Sequence, residues 1–187
     1  DLRFNRDEIE QFLAHAAATA IDATAIETLA QRTEGWAAGL RLASLSLSGE
    51  SDYARLNRGL TPRANQYIME YLLDEVLSRQ RPEIQDFLLT TSILESFNAS
   101  LAAAVCGDRD ARALQDLIEE IDHANLFLVT LNETQAWYRY HHLFRDLLRQ
   151  KLGQTVDSTW IEGRHRRASE WFAAHGAITE AIHHALQ

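Results

Sequence analysis

Two adjacent histidines, His141 and His142, lie in the stretch WYRYHHLFRDLLRQKL, where an aromatic alternating segment is followed by a helical pattern. Histidine binds metals, transfers protons and donates hydrogen bonds to anions. Adjacent side chains point to opposite faces of a strand, or about 100° apart on a helix, so we expect the two rings not to share one metal ion. His141 is predicted at a helix N-terminus, where backbone N–H groups favour a phosphate. The alternative is that His141 bonds only to local groups and His142 is a solvated surface residue.

Other reactive patterns are incomplete. Glu180 and His183 have the Glu-x-x-His spacing of carboxylate-bridged metal bundles, but the sequence contains no second copy. It contains no Gly-x-Ser-x-Gly elbow, no His-Glu-x-x-His and no phosphate loop ending in Gly-Lys-Ser/Thr. Cys106 follows an apolar stretch and is predicted to be a small buried hydrophobe. We therefore expect no catalytic residue and no metal site, and we expect this chain not to be an enzyme by itself.

The composition limits the class of protein. The 187 residues are 46% hydrophobic with a net charge of -9, so one or two globular units are expected and nucleic acid is not the default partner. One cysteine, no apolar run of about 20 residues and no signal-peptide pattern predict a cytoplasmic protein without a membrane segment.

A small helical subdomain is predicted over residues 1–50. Asn5 and Glu8 have the spacing of a capping box at the start of a first helix, and a second helix is predicted from Thr24 to Gln31 with Gly35 just past its end. A third helix begins in the stretch GWAAGLRLASLSL. Apolar periodicity fades over residues 49–61, which indicates a boundary.

A winged-helix domain is predicted over residues 51–152. Helical patterns run from Asn65 to Leu77, from Pro82, over 101–105 and over DARALQDLIEEIDHA (110–124), with Asn125 as the stop. Two strand-like stretches, LFLVTL and AWYRYH, then flank the turn NETQ before another helix. In a DNA-binding winged helix, the helix before the hairpin enters a DNA groove. Here that helix carries five carboxylates, and Arg112 is its only arginine. Because those carboxylates would repel phosphates, the pattern favours protein contacts and ligand gating over DNA binding.

Residues 153–187 are predicted to start a helical-repeat arm. Two short helices flank His175 and Gly176, with small residues such as Ala181 where the helices would cross, as in a tetratricopeptide-type repeat. One repeat cannot bury its own apolar face, so the natural chain is expected to continue beyond Gln187, and its abrupt start suggests a preceding domain.

The chain resembles the MalT-like regulators, the large ATP-dependent LuxR-family activators of the STAND class of signalling ATPases. The stretches that carry the resemblance are TEGWAAGLRLASLSL, YLLDEVLSRQRPEIQDFLLTTSIL, NLFLVTLNETQAWYRYHHLFRDLLR and RRASEWFAAHGAITEAIHHAL. It implies a mainly α fold: a helical lid subdomain of a P-loop ATPase over 1–50, a winged-helix domain with one β-hairpin over 51–152, and the start of a tetratricopeptide-like arm over 153–187.

The same resemblance assigns nucleotide-binding residues. RYHHLFRDLL is similar to the Met-His-Asp signature of related STAND proteins, which places His141 at the histidine that reaches the β-phosphate of ADP. His142 stands where those relatives have aspartate. GWAAGLRLA is similar to their Gly-Leu-Pro-Leu-Ala segment beside the base, so Gly35 and Trp36 are candidates for base contact, with Ala37 in place of the proline.

The implied mechanism is a switch in a longer parent protein. An upstream P-loop domain would bind ADP or ATP with Mg²⁺, the lid and winged helix would close over it, and a downstream helical-repeat sensor would respond to an inducer. The parent would self-associate on activation and bind DNA through a separate C-terminal helix-turn-helix, whereas this piece alone would hold no nucleotide tightly. Two alternatives stay open: an interaction scaffold with no nucleotide contact, and a DNA-binding winged helix.

Overall fold

The described chain divides into two compact units, Asp1–Glu75 and Val76–Gln187. The computed structural model describes residues 4–16, 26–27, 30–31, 33–36, 40, 72–107, 109–124, 126–132 and 136–187. The boundary predicted between residues 50 and 51 lies outside these residues. None of the helices in the described ranges is long and apolar enough to cross a membrane.

The first unit begins with helix α1 (Arg6–Ala16) and its capping box. Asn5 Oδ1 accepts a hydrogen bond from the Glu8 N–H (3.0 Å), and Glu8 Oε2 accepts one from the Asn5 N–H (2.8 Å). These reciprocal bonds satisfy two backbone donors that the helix leaves unpaired, as the sequence predicts. Ile26, Glu27, Ala30 and Gln31 are helical, which agrees with the second predicted helix.

In the described residues of the second unit, the structure shows helices and one β-hairpin. After a π-helix (Leu72–Leu77) that spans the division between the units, its elements are α2 (Pro82–Thr91), α3 (Ala99–Val105), α4 (Ala111–His123), β1 (Leu128–Asn132), β2 (Trp137–Tyr140), α5 (His142–Thr155), α6 (Ser158–Ala174) and α7 (Ile178–Ala185). Three helices, a hairpin and a further helix form the predicted winged-helix arrangement, so the mainly α fold class is confirmed. Residues 72–77 differ from the expectation, because they wind as a π-helix and not as an α-helix.

Local sequence signals begin these helices. Pro82 occupies the first turn of α2, where its missing N–H costs nothing. Asn98 caps α3 by accepting from the Leu101 N–H (2.9 Å), and Asp110 caps α4 by accepting from the Arg112 N–H (3.1 Å). Each cap contributes about 0.5 to 2 kcal/mol, enough to fix where a short helix starts.

An aromatic cluster fills the core of the second unit. The fully buried ring of Phe97 lies edge-on to Phe87 at 6.0 Å and contacts Tyr140 at 5.2 Å, and Phe144 of α5 contacts Tyr140 at 6.1 Å. The Tyr140 hydroxyl shares a 2.6 Å hydrogen bond with Thr91 Oγ1. Burial raises the pKa of Tyr140 far above its usual range, so the hydroxyl stays neutral. The cluster joins α2, β2 and α5 into one core.

The wing is an antiparallel hairpin in which Leu128 pairs with Tyr140 and Thr130 pairs with Tyr138, with an irregularity between Thr130 and Asn132. A third segment adds to it outside the hairpin. The Phe97 N–H donates to the Tyr138 carbonyl and the Tyr138 N–H donates to the Phe97 carbonyl, both at 2.8 Å. The loop after α2 therefore holds β2 in place.

Helices α6 and α7 form an antiparallel helical hairpin that turns at Gly176, whose φ is +78°. Helix α6 has 17 residues, so the prediction of two short helices was wrong for the first of them. Asp157 caps α6 by accepting from the Trp160 N–H (2.7 Å), and that cap extends the helix toward its N-terminus. Arg164 donates to the Val105 carbonyl (2.8 Å) at the end of α3, which anchors α6 on the winged helix.

Candidate functional site

His141 lies between β2 and α5 and is the N-cap of that helix. Its ring Nδ1 accepts from the Leu143 N–H (3.3 Å), and its own N–H donates to the Phe127 carbonyl (2.8 Å). The side chain is 4% exposed. The predicted place at a helix N-terminus is confirmed. The bond from Leu143 orients the ring, and the bond to Phe127 holds the backbone of His141.

The capping bond determines which nitrogen of His141 carries the proton. A neutral imidazole has one N–H and one acceptor nitrogen, and Nδ1 is the acceptor here. The proton therefore lies on Nε2, which makes that atom a hydrogen-bond donor. A ring held in this tautomer can cap its helix and donate to an anion at the same time.

The two histidine rings stack on each other, with centroids 4.7 Å apart and planes 20° apart. The expectation that the side chains diverge was therefore wrong. It assumed that both residues follow one regular strand or helix, but His141 is a cap with extended backbone (φ -54°, ψ 134°), while His142 is the first residue of α5. That change of conformation between neighbours brings the rings together.

The backbone around His141 is unusual. Phe127, whose carbonyl accepts from His141, has a φ of +58°, which is rare for an aromatic residue. Its ring lies edge-on to His141 at 6.3 Å and tilts against Phe144 at 5.1 Å. The Arg139 guanidinium donates to the Tyr140 carbonyl (3.2 Å), which adds positive charge beside the histidine.

Gly35, a predicted base-contact residue, has a clear structural role in the first unit. It is buried, has a φ of +76°, and its carbonyl accepts from the Phe4 N–H (2.7 Å). A Cβ at this position would overlap the Phe4 carbonyl oxygen. The glycine is required by the backbone whatever else this segment contacts.

Trp36, the other predicted base-contact residue, is partly buried. Its N–H donates to the Thr33 carbonyl (2.8 Å), and its carbonyl accepts from the Leu40 N–H (3.0 Å). These bonds place it in the turn that leads into the next helical segment. Base contact by Gly35 and Trp36 stays a prediction.

We expect Gly35→Ala to destabilise the first unit by about 2 kcal/mol, because alanine resists a positive φ and its methyl group would displace the backbone at Phe4. Amide hydrogen exchange in α1 should accelerate while exchange in α4 is unchanged. Gly153→Ala is the control: a Cβ there meets nothing within 4 Å, so this change should leave α1 unaffected and stabilise α5 slightly. Unchanged exchange in α1 of the Gly35 variant would contradict the strain argument.

Cys106 is a neutral thiol. Burial raises its pKa to about 11, so the thiolate form is scarce at pH 7. This agrees with its predicted role as a small apolar residue. Asp116, Glu119 and Asp122 of α4 are exposed carboxylates. That this helix does not enter a DNA groove stays a prediction.

Sequence reasoning missed an ion-pair cluster that ties the loop after α2 to α5. Glu95 forms ion pairs with Arg145 and Arg149, and Arg149 also donates to the Ser92 carbonyl (2.7 Å). Although partial burial opposes it, the two guanidinium groups lower the pKa of the Glu95 carboxyl. The residues are 50 or more positions apart, so no local spacing indicates the contact.

The fold and the capped histidine define a winged-helix domain joined to a helical hairpin. Residues 73–160 match the family model of the MalT winged helix domain. The chain contains a MalT-type winged helix domain, and it spans a fifth or less of the length of the curated relatives it matches.

Three of these relatives show which kinds of protein contain a similar segment. The chain is similar to the serine/threonine-protein kinase PknK of Mycobacterium tuberculosis, with 40% identity over 99% of this chain and 16% of that protein. It is similar to the HTH-type transcriptional regulators MalT of Klebsiella pneumoniae and Cronobacter sakazakii, with 34% identity over 99% of this chain and 20% of each regulator. The same segment therefore occurs in proteins with different names.

Proposed function

We propose that this chain is the gating segment of an ATP-dependent, MalT-like transcriptional activator. In this proposal an upstream P-loop domain of the parent binds ADP or ATP with Mg²⁺. The segment closes over that nucleotide, and a downstream helical-repeat sensor controls the closure in response to an inducer. The segment itself carries no ATPase activity, and DNA is bound by a separate helix-turn-helix.

The observation that carries the proposal is the geometry of His141. Its Nδ1 is engaged by the Leu143 N–H, so its Nε2 carries the proton and is a donor at the N-terminus of α5. A phosphate at that position would be favoured by the helix dipole and by the nearby Arg139 guanidinium. Such a residue can hold a nucleotide-bound, closed form without taking part in chemistry.

The strength of one such bond is sufficient for a switch. A hydrogen bond from histidine to a charged phosphate contributes about 1.5 to 3 kcal/mol. Because about 1.4 kcal/mol is a tenfold change in an equilibrium constant, its loss would shift a closed-to-open equilibrium by tenfold or more. The expected result is premature opening and loss of ADP.

The test distinguishes the roles of the two ring nitrogens of His141, and it uses variants of the full-length parent. His141→Asn places an oxygen near the Nδ1 position, so it keeps an N-cap, but it lacks the Nε2 donor. We expect it to stay stable, to release ADP at least tenfold faster and to raise inducer-independent transcription. His141→Gln places an amide near Nε2 but loses the cap, so it should be less stable by about 1 kcal/mol while retaining more ADP than the asparagine variant.

His123→Ala is the control, because His123 is an exposed histidine at the end of α4. It should leave ADP release and basal transcription unchanged. Equal ADP release by the wild type and the His141→Asn variant, with equal basal transcription, would refute the gating role.

The alternative of an interaction scaffold has one observation in its favour. Ile178, Ile182 and Leu186 follow each other at four-residue spacing along α7 and its end, and they are 57%, 56% and 80% exposed. An apolar stripe of this kind suits contact with another helix. The scaffold is the better proposal if both His141 variants leave ADP binding unchanged.

A further inference from the structure

A cavity of about 590 Å³ lies between the wing, the loop after α2 and the helical hairpin α6–α7. Residues that line it are Glu95, Trp137, Trp171, His175, Glu180 and His183. Its volume is within the range of about 300 to 1,000 Å³ typical of small-molecule sites, which often form where two structural elements meet. The cavity lies entirely within the second unit.

The aromatic rings that line the cavity contact one another and are hydrogen-bonded. The indole of Trp171 stacks on the His175 ring at 3.8 Å with an angle of 16°, and its Nε1–H donates to Ser100 Oγ (3.0 Å). Trp137 of the wing stands edge-on to Trp171, with centroids 6.4 Å apart. His175 Nδ1 is 2.7 Å from the Trp171 carbonyl, which fixes the second ring. Because these rings are held before any ligand arrives, little ordering would be lost on binding.

The cavity offers one carboxylate whose charge no arginine among the described residues balances. Two carboxylates line it, Glu95 from the loop after α2 and Glu180 from the first turn of α7. Among the described residues, no lysine or arginine side chain lines it. Arg145 and Arg149 contact Glu95, so Glu180 is the carboxylate without such an ion pair among those described. Indole faces and a carboxylate together attract cations with a flat apolar body.

We propose that this cavity binds a small flat organic cation, such as an amidinium, a guanidinium or an aromatic amine. The flat body lies against Trp171 and Trp137, and the cationic group faces Glu180. This site is separate from His141, and it requires neither nucleotide nor the proposed gating. It gives the segment a ligand of its own at the junction between the winged helix and the arm.

The test uses three probes of one shape on the 187-residue chain at pH 8: benzamidine, benzamide and benzoate. Binding is followed by the indole N–H resonances in ¹H–¹⁵N spectra, since the chain has four tryptophans. We expect benzamidine to shift the resonances of Trp137 and Trp171, and to leave those of Trp36 and Trp160 in place. Benzamide should bind at least fivefold more weakly, and benzoate should not bind.

Glu180→Gln removes the charge at an exposed position, so the fold should be retained. We expect this variant to weaken benzamidine binding by about fivefold. Glu162→Gln makes the same change on the exposed surface of α6, outside the cavity lining, and should have no effect. Equal binding of the three probes, a shift of all four indoles, or equal affinity of Glu180→Gln and the wild type would each overturn the proposal.

Discussion

Phe97→Ala is expected to lower the free energy of unfolding of the second unit by about 3 to 5 kcal/mol. The Phe97 ring is fully buried and contacts Phe87, Tyr138 and Tyr140. Removing it leaves a cavity where α2, the wing and α5 meet, and the surrounding rings cannot close it without leaving their own contacts. Urea denaturation followed by far-ultraviolet circular dichroism measures the change.

Leu131→Ala is the matched control for the Phe97 variant. Leu131 lies on β1 of the same wing but is 52% exposed, so its truncation should cost less than about 0.5 kcal/mol. The backbone bonds between Phe97 and Tyr138 do not depend on the side chain and remain possible in the variant. A loss below about 1 kcal/mol for Phe97→Ala would show that the aromatic cluster is not the centre of the core.

The role of Phe97 also shows where sequence reasoning reaches its limit. The helix after Pro82 and the hairpin strands were predictable, because each is encoded by local periodicity, a proline or a turn. The stretch ESFN has no such period. Phe97 pairs with Tyr138, which lies 41 residues further along the chain, and nothing in its neighbours indicates that partner.

The candidate site was likewise predictable from the sequence only in part. The place of His141 at the start of α5 follows from the change of period between strand and helix. The capping bond to Leu143 and the stacking on His142 depend on side-chain rotamers and on a backbone that changes conformation between the two residues. Adjacency in sequence alone predicted diverging rings, and the local conformation reversed that result.

His165 and His184 form a second histidine pair that no sequence pattern indicates. Their Nδ1 atoms are 2.8 Å apart across the α6–α7 hairpin, and the His184 ring stacks against Phe172. A hydrogen bond between the two Nδ1 atoms needs one of them protonated and the other unprotonated. Protonation of both rings would break it and place two cations in contact, so the pair holds the hairpin together only while at least one ring is neutral.

Unfolding free energy is therefore expected to fall as the pH drops from about 6.5 to about 4. Burial first, and then the neighbouring His165, His183 and Arg149, lower the pKa of His184 from 6.5 to about 4, against a small opposite effect of Glu95. The pKa of His165 is lowered too, by burial first. In this window the unfolded chain binds more protons than the folded one, so acid favours unfolding. The loss at His184 begins near pH 6.5 and is complete only below pH 4, where the folded chain is protonated as well.

His184→Phe tests this origin, because phenylalanine can stack on Phe172 but cannot take up a proton. Its unfolding free energy, measured by urea denaturation at steps of pH, should lose most of the decline between pH 6.5 and 4. His123→Gln should keep the full decline, since His123 is exposed. Glu95 contributes only at the acid end of this range: because its pKa is lowered from 4.5, its stabilisation begins to be lost as the pH falls through about 4.5, so the decline above pH 5 is the part that identifies His184. If the His184→Phe variant and the wild type declined equally over that range, the titration would have to be assigned to other groups.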